Sequence, residues 1–144
     1  MAMKMFAACI IISILLTGAS CAKNDAPVED APRDVALEEV LSALDDASIP
    51  YESRPETRNA YDMPREGAER RLYRIEPGFL TIYIFPNVDR RREVQRDPFP
   101  AAEAVPPTGS YGVGNILVFY YDGDDATAQK LAEAFEPLGV EEER

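Results

Sequence analysis

Two stretches dominate what this chain can become. Phe79–Phe85 (FLTIYIF) and Asn115–Tyr121 (NILVFYY) are runs of β-branched, aromatic and aliphatic residues. Such residues suit a pleated, buried surface, so both runs predict β-strands. Successive side chains of a strand point to opposite faces. The first run therefore sets Leu80, Ile82 and Ile84 against Phe79, Tyr83 and Phe85, and the second sets Ile116, Val118 and Tyr120 against Leu117, Phe119 and Tyr121. Neither face of a sheet built on them is polar. Either helices and the long loop cover both faces, or all helices cover one and the other shows a Tyr/Phe surface to a partner.

Helical periodicity flanks the strands. Leu37, Val40, Leu41 and Leu44 fall at i, i+3, i+4 and i+7, which predicts a helix over 34–47 with Asp34 as its N-cap. Ile49–Ser53 reads as a short strand, and Pro50 places it at a sheet edge. Residues 54–70 hold few large apolar side chains and read as the longest loop. Arg71–Glu76 pairs with Phe79–Phe85 as a hairpin, with Pro77-Gly78 at the centre of a type II turn. Asn87 caps a second helix through about Gln95, which Asp97-Pro98-Phe99-Pro100 ends. Residues 101–114 form a loop with a short strand near Tyr111–Val113. Asp124 or Asp125 caps a last helix to about Glu136, closed by Pro137 and Gly139. The order is α-β-β-β-α-β-α, an α+β fold with a small, mostly antiparallel sheet and about three helices. Its expected core is Leu37, Val40, Leu41, Leu44, Leu72, Leu80, Ile82, Ile84, Ile116, Val118, Phe119, Leu131 and Phe135.

Composition narrows function. Asp and Glu number 26 against 15 Lys and Arg, so the net charge is −11. A nucleic-acid binder needs the opposite surplus to neutralise phosphates. The chain has no His, which removes the Ser-His-Asp triad, the Cys-His pair and His-ligated metal.

The first 22 residues carry an address. Lys4 is the only charged side chain before an apolar run from Phe6 to Leu16, broken by Ser13 and followed by Thr17, Gly18, Ala19 and Ser20. A short positive region, an apolar core and a small-residue exit describe a secretory signal peptide. The charge-free stretch 5–22 also borders on the length of an uncleaved membrane anchor. Ser20-x-Ala22 offers ordinary signal peptidase a site after Ala22. Residues 22–33, AKNDAPVEDAPR, cannot build a core and read as a disordered spacer. Its root-mean-square reach is about 20 Å.

Leu16-Thr17-Gly18-Ala19-Ser20-Cys21 resembles a bacterial lipobox. Ala19 and Ser20 fit the two positions before the cysteine, while Gly18 stands where that family prefers Leu, and the leucines sit at 15 and 16. The resemblance implies that Cys21 is thioether-linked to diacylglycerol carrying acyl chains such as palmitate, and that a dedicated peptidase cuts just before it. Cys9 then leaves with the signal, and Cys21 is the sole mature cysteine. The implied plan is a signal peptide over 1–20, the lipidated Cys and disordered tether over 21–33, and a single α+β domain over 34–144. The implied location is extracytoplasmic and membrane-anchored. In a cell with one membrane that is the outer face of the cytoplasmic membrane; with two, it is the outer membrane facing the periplasm. Losing Lys4 takes the net charge to −12, so anionic headgroups repel the body. The element order of the body also resembles small lipoproteins of bacilli and their relatives, a resemblance that brings no catalytic motif.

Several constellations invite chemistry, and each has a plainer reading. Asp122, Asp124 and Glu133 have the 1, 3, 12 spacing of an EF-hand loop, but Thr127 stands where that loop needs Gly, and a strand-to-helix turn with an Asp cap accounts for them. Gly109-x-x-Gly112-x-Gly114 precedes a strand, whereas a phosphate loop precedes a helix N-terminus. Ser20-Cys21-Ala22-Lys23 spells S-x-x-K across the expected cleavage site, which would separate its ends. Arg90, Arg91, Arg92 and Arg96 form a local basic patch, suited to a partner's carboxylates or else a solvated helix face balanced by Asp89, Glu93 and Asp97.

The expectation is therefore a cell-envelope lipoprotein that is a non-enzymatic binding or interaction module. It is tethered at Cys21 through a diacylglyceryl anchor, takes a protein or envelope component as partner, and binds no nucleic acid. Nothing calls for a cofactor, and no catalytic, metal or binding residue is assigned. The alternatives are a small envelope hydrolase working with Asp and Glu alone, or a secreted soluble factor.

Overall fold

The two apolar runs lie side by side at the centre of one sheet. A computed structural model of the chain describes residues 33–55, 61, 63–98 and 104–142. The elements are α1 (Leu37–Asp46), β1 (Glu52–Arg54), β2 (Glu69–Arg74), β3 (Phe79–Ile84), α2 (Val88–Arg96), β4 (Gly109–Val113), β5 (Ile116–Tyr121), α3 (Asp125–Phe135) and β6 (Glu141–Glu142). The strands form a six-stranded sheet in the order β1-β2-β3-β5-β4-β6, and every neighbouring pair is antiparallel. This is the expected α+β class. The expected signal peptide and Cys21 lie outside the described residues, as does the tether apart from Arg33.

Both faces of the sheet are covered. On one, Leu80, Ile82, Ile116, Val118 and Tyr120 pack against Val40 and Leu44 of α1 and Leu131 and Phe135 of α3. On the other, Tyr83, Phe85, Leu117, Phe119 and Tyr121 pack with Val94 of α2 and with Tyr61 and Ala68 of the long loop. All six residues of β5 are buried. Each fully buried aliphatic or aromatic side chain contributes about 1.5–3 kcal/mol, so the double-sided apolar pattern explains why the two runs take the centre. The exposed Tyr/Phe face is thereby overturned: Tyr83 and Tyr120 are both 0% exposed and sit on opposite faces.

Local chemistry sets most element ends. The side chain of Asn87 accepts from Arg90 N at 2.9 Å, and that of Asp124 accepts from Thr127 N at 2.7 Å, so both expected N-caps form. Asp34 does not cap α1. The helix starts later, after Ala36, whose amide donates to Glu39 Oε2 at 2.9 Å. Val35 is buried instead, and its amide donates to Asn115 Oδ1 at 2.8 Å. The hairpin turn also differs from expectation. The Glu76–Pro77 bond is cis and Ile75 N donates to Gly78 O at 3.2 Å, which is not a type II arrangement. The short strand near Tyr111 extends to a full hairpin partner of β5, joined through Gly114-Asn115 with Gly114 at a φ of +55°. Strand β6 was not expected from two glutamates.

Candidate functional site

Helix α2 and the C-terminal strand β6 meet over β4, and their contact is polar. Arg91 and Gln95, one turn apart, face the sheet because Asn87 starts the helix at Val88. Glu141 pairs with Gly112 across β4, so its side chain lies on the α2 side. Arg91 Nε donates to Gly114 O at 2.8 Å, and its Nη1 donates to Gln95 Oε1 at 2.6 Å and Glu141 Oε2 at 2.9 Å. Arg92 grips the same carboxylate, through Nε at 3.0 Å and Nη2 at 2.5 Å. Gln95 Nε2 donates to Glu141 O at 2.9 Å. The hydrogen bond from Arg92, then the bond and charge of Arg91, hold the Glu141 carboxyl down to about 2 against the opposing effect of desolvation.

The Arg91 side chain is 0% exposed. A guanidinium so placed needs a paired charge and hydrogen bonds to offset its lost hydration, and Glu141, Gln95 and Gly114 O supply them. Its Nη2 has no hydrogen-bond partner among the described residues. Three other buried polar atoms share that condition: Arg65 Nε, Thr81 Oγ1 and Ser110 Oγ. All four belong to the α2 face of the sheet. Thr81 and Ser110 flank Phe119 in register across three strands. The Arg65 guanidinium lies 5.5 Å from the Tyr83 ring centre and 5.8 Å from that of Phe119. Buried polar atoms without protein partners are where ordered water or a ligand group is held.

Beside this cluster the sheet edge opens into a cleft of about 1030 Å³. Gln95, Arg96 and Pro98 wall it from the α2 side, Asp125, Ala128 and Gln129 from the α3 side, and Gly109, Ser110 and Tyr111 form its floor. Tyr111 is fixed there by a 2.7 Å bond from its hydroxyl to Ala128 O, and burial pushes its phenol up. A second, shallower groove of about 630 Å³ runs between α1 and α3, lined by Ala43, Ala134 and Leu138 with Glu39, Asp46 and Glu133 at its rim.

The constellations singled out in the sequence are dispersed or absorbed. Asp124 is committed to the α3 cap, and Glu133 accepts from Gln129 Nε2 at 3.0 Å on α3 itself. Gly109, Gly112 and Gly114 are strand and turn positions, not a loop before a helix. The arginine run does not form one solvated face. Arg90 pairs with Glu93 at 2.6 Å, Arg92 with Glu141 at 2.5 Å, and Arg91 is core. Sequence reasoning missed Gln95 and Glu141 as partners. The signal was Gly112, a glycine inside a strand, which marks a close approach. Comparison with known proteins finds no matching family model, no matching curated protein and no matching solved structure.

Proposed function

We propose that the chain is a cell-envelope lipoprotein whose body is a binding module rather than an enzyme. The observation that carries this reading is the N-terminal run, an apolar core followed by Leu16-Thr17-Gly18-Ala19-Ser20-Cys21. Lipid on Cys21 anchors the protein on the extracytoplasmic side, and residues 22–33 hold the body off the surface. The body supports a binding role through its clefts, which are lined by mixed polar and apolar side chains. The hydrolase alternative draws less support. The two carboxylates held strongly down to about 2, Glu39 and Glu141, are both pulled there by arginine hydrogen bonds. A general acid needs the opposite displacement.

Metabolic labelling with palmitate tests the anchor. Wild-type protein expressed in a bacterium takes up label and sediments with membranes, and Cys21→Ala does neither. Equal labelling and equal sedimentation of the two would remove Cys21 from the account. Release of both into the medium would favour the secreted factor.

A further inference from the structure

We infer that the groove between α1 and α3 is a docking site for a cationic amphipathic helix of another protein. The inference rests on the reading of the body as an interaction module and names its surface and the chemistry of its partner. Val35, just before α1, is tied to Asn115 at one end of the sheet, and Asp124, just before α3, is tied to Tyr120 near the other. The two helices therefore run antiparallel across the same face. From residue 39 on the α1 side and from residue 130 on the α3 side, the groove is lined at i, i+3, i+4, i+7 and i+8. Two such stripes side by side form the trough into which a third helix packs. The floor is small and apolar. Ala43, Ala134 and Leu138 rest on the core but are only partly buried, and they leave a volume of about 630 Å³ above them. Small side chains there let the backbone of an incoming helix approach closely.

Charge specifies the occupant. Helices α1 and α3 carry Glu38, Glu39, Asp45, Asp46, Asp125 and Glu133 against one base, Lys130. Arg33 neutralises Glu39, but Asp46 on one wall and Glu133 on the other form no ion pair among the described residues. Neither helix has a basic residue in its last turn. Asp45 and Asp46 thus stand at the negative end of the α1 dipole with no cation to offset them. A row of lysines along one flank of a docked helix supplies that cation, while an apolar stripe beside it enters the trough. A second copy of the chain brings the same acids to the groove and is repelled. The tether sequence carries Asp25, Glu29 and Asp30 against Lys23 and is repelled likewise. The groove therefore favours a foreign helix with an Ala/Leu stripe and a Lys flank.

The test uses the full chain in phosphatidylcholine nanodiscs and a blocked, fluorescent peptide, Gln-Ala-Lys-Gln-Leu-Ala-Lys-Gln-Ala-Lys-Gln-Leu-Ala-Lys. As a helix it sets Ala and Leu on one face and Lys along one flank. A scrambled peptide of the same composition lacks that face. Binding is read by fluorescence anisotropy, with empty nanodiscs subtracted. The first peptide is expected to bind about tenfold tighter than the scrambled one. Ser42→Trp, at an exposed position in the groove, is expected to weaken it about tenfold, as is the pair Asp46→Lys and Glu133→Lys. The pair Glu52→Lys and Glu66→Lys makes the same charge change at exposed positions outside the groove and is expected to keep most of the affinity. The proposal is overturned if the two peptides bind equally, if both charge pairs weaken binding alike, or if Ser42→Trp changes nothing. It is also overturned if the chain dimerises and Ser42→Trp breaks the dimer, or if the peptide binds only after residues 22–32 are deleted, since a second copy or the tether then fills the groove. The anchor is judged separately. Labelled Cys21 without peptide binding removes only the docking site, and peptide binding without label removes only the anchor.

Discussion

A methyl group on Gly112 would collide with Nη1 of Arg91, so the strand lacks a side chain where the helix inserts one. The two positions share one volume, and that relationship can be measured. Gly112→Ala should cost about 1–3 kcal/mol through overpacking. Arg91→Ala should cost about 2–5 kcal/mol, because it empties a buried side-chain volume and strips Gly114 O and Gln95 Oε1 of their donor, while Arg92 still holds Glu141. In the double variant the new methyl no longer meets Arg91, and its remaining neighbour, Gln95 Oε1, has lost the arginine that held it there. Urea unfolding of all four proteins should give a combined loss smaller than the sum by about 1 kcal/mol or more. Strictly additive losses would show that the two residues do not compete.

The same cluster sets an acid limit. Glu141 is held at about 2, below its ordinary 4.5, so folding binds its ionised form more tightly. Stability from a depressed carboxylate is complete above the unfolded value and is lost as pH falls toward the folded one. Unfolding free energy should therefore be flat from neutral pH to roughly pH 5 and fall from there to roughly pH 2. Glu39, also at about 2 through Arg33 and the Ala36 amide, adds to the slope. Both carboxylates are more than a third exposed, at 38% and 37%, so salt should flatten the decline. Glu141→Gln should show a shallower acid loss than wild type. Superimposable pH profiles would remove Glu141 as its source.

Two helix caps should behave independently. Asp124→Ala and Asn87→Ala each remove one side-chain acceptor from a first-turn amide, and each should cost about 1 kcal/mol. They sit on helices covering opposite faces of the sheet, so their losses should add. Asp124→Asn keeps the acceptor and should retain most of the stability. If Asp124→Asn and Asp124→Ala unfold at the same urea concentration, the aspartate does something other than cap.

Tyr120 links the two turns at one end of the sheet. Its hydroxyl donates to Pro77 O at 2.7 Å and accepts from Asp124 N at 3.1 Å. Tyr120→Phe leaves both groups without it and should cost about 1–3 kcal/mol by thermal unfolding. The midpoint of a variant that lost only surface area would not move that far.

Much of this architecture was written in local patterns. The alternation in FLTIYIF and NILVFYY assigned the aliphatic and aromatic side chains of the two central strands to the correct faces. Asn87 and Asp124 announced their helices because short polar side chains at those positions have a backbone amide to accept from. What local pattern could not carry was decided by distant contact. Whether the Phe79, Tyr83 and Phe85 face was covered depended on α2 and on a loop whose own sequence has no periodicity. Asp34 looked like a cap, but a Val35 buried under Asn115 displaced the helix start. Strand β6 reads as two charged residues, and it pairs because Arg91 and Arg92 hold Glu141 from a helix roughly fifty positions away. The cleft was illegible for the same reason, since its walls come from α2, β4 and α3.

The Val35–Asn115 contact decides where a pull on the chain would be felt. Asn115 immediately precedes the central strand β5, and its Nδ2 also donates to Phe85 O at 2.9 Å, beyond the end of β3. Tension applied at Arg33 is therefore shared between α1, which its guanidinium grips at Glu39, and the junction of β3 and β5. A leash fastened there loads the middle of the sheet, in the manner of a rope tied to a keel rather than a rail.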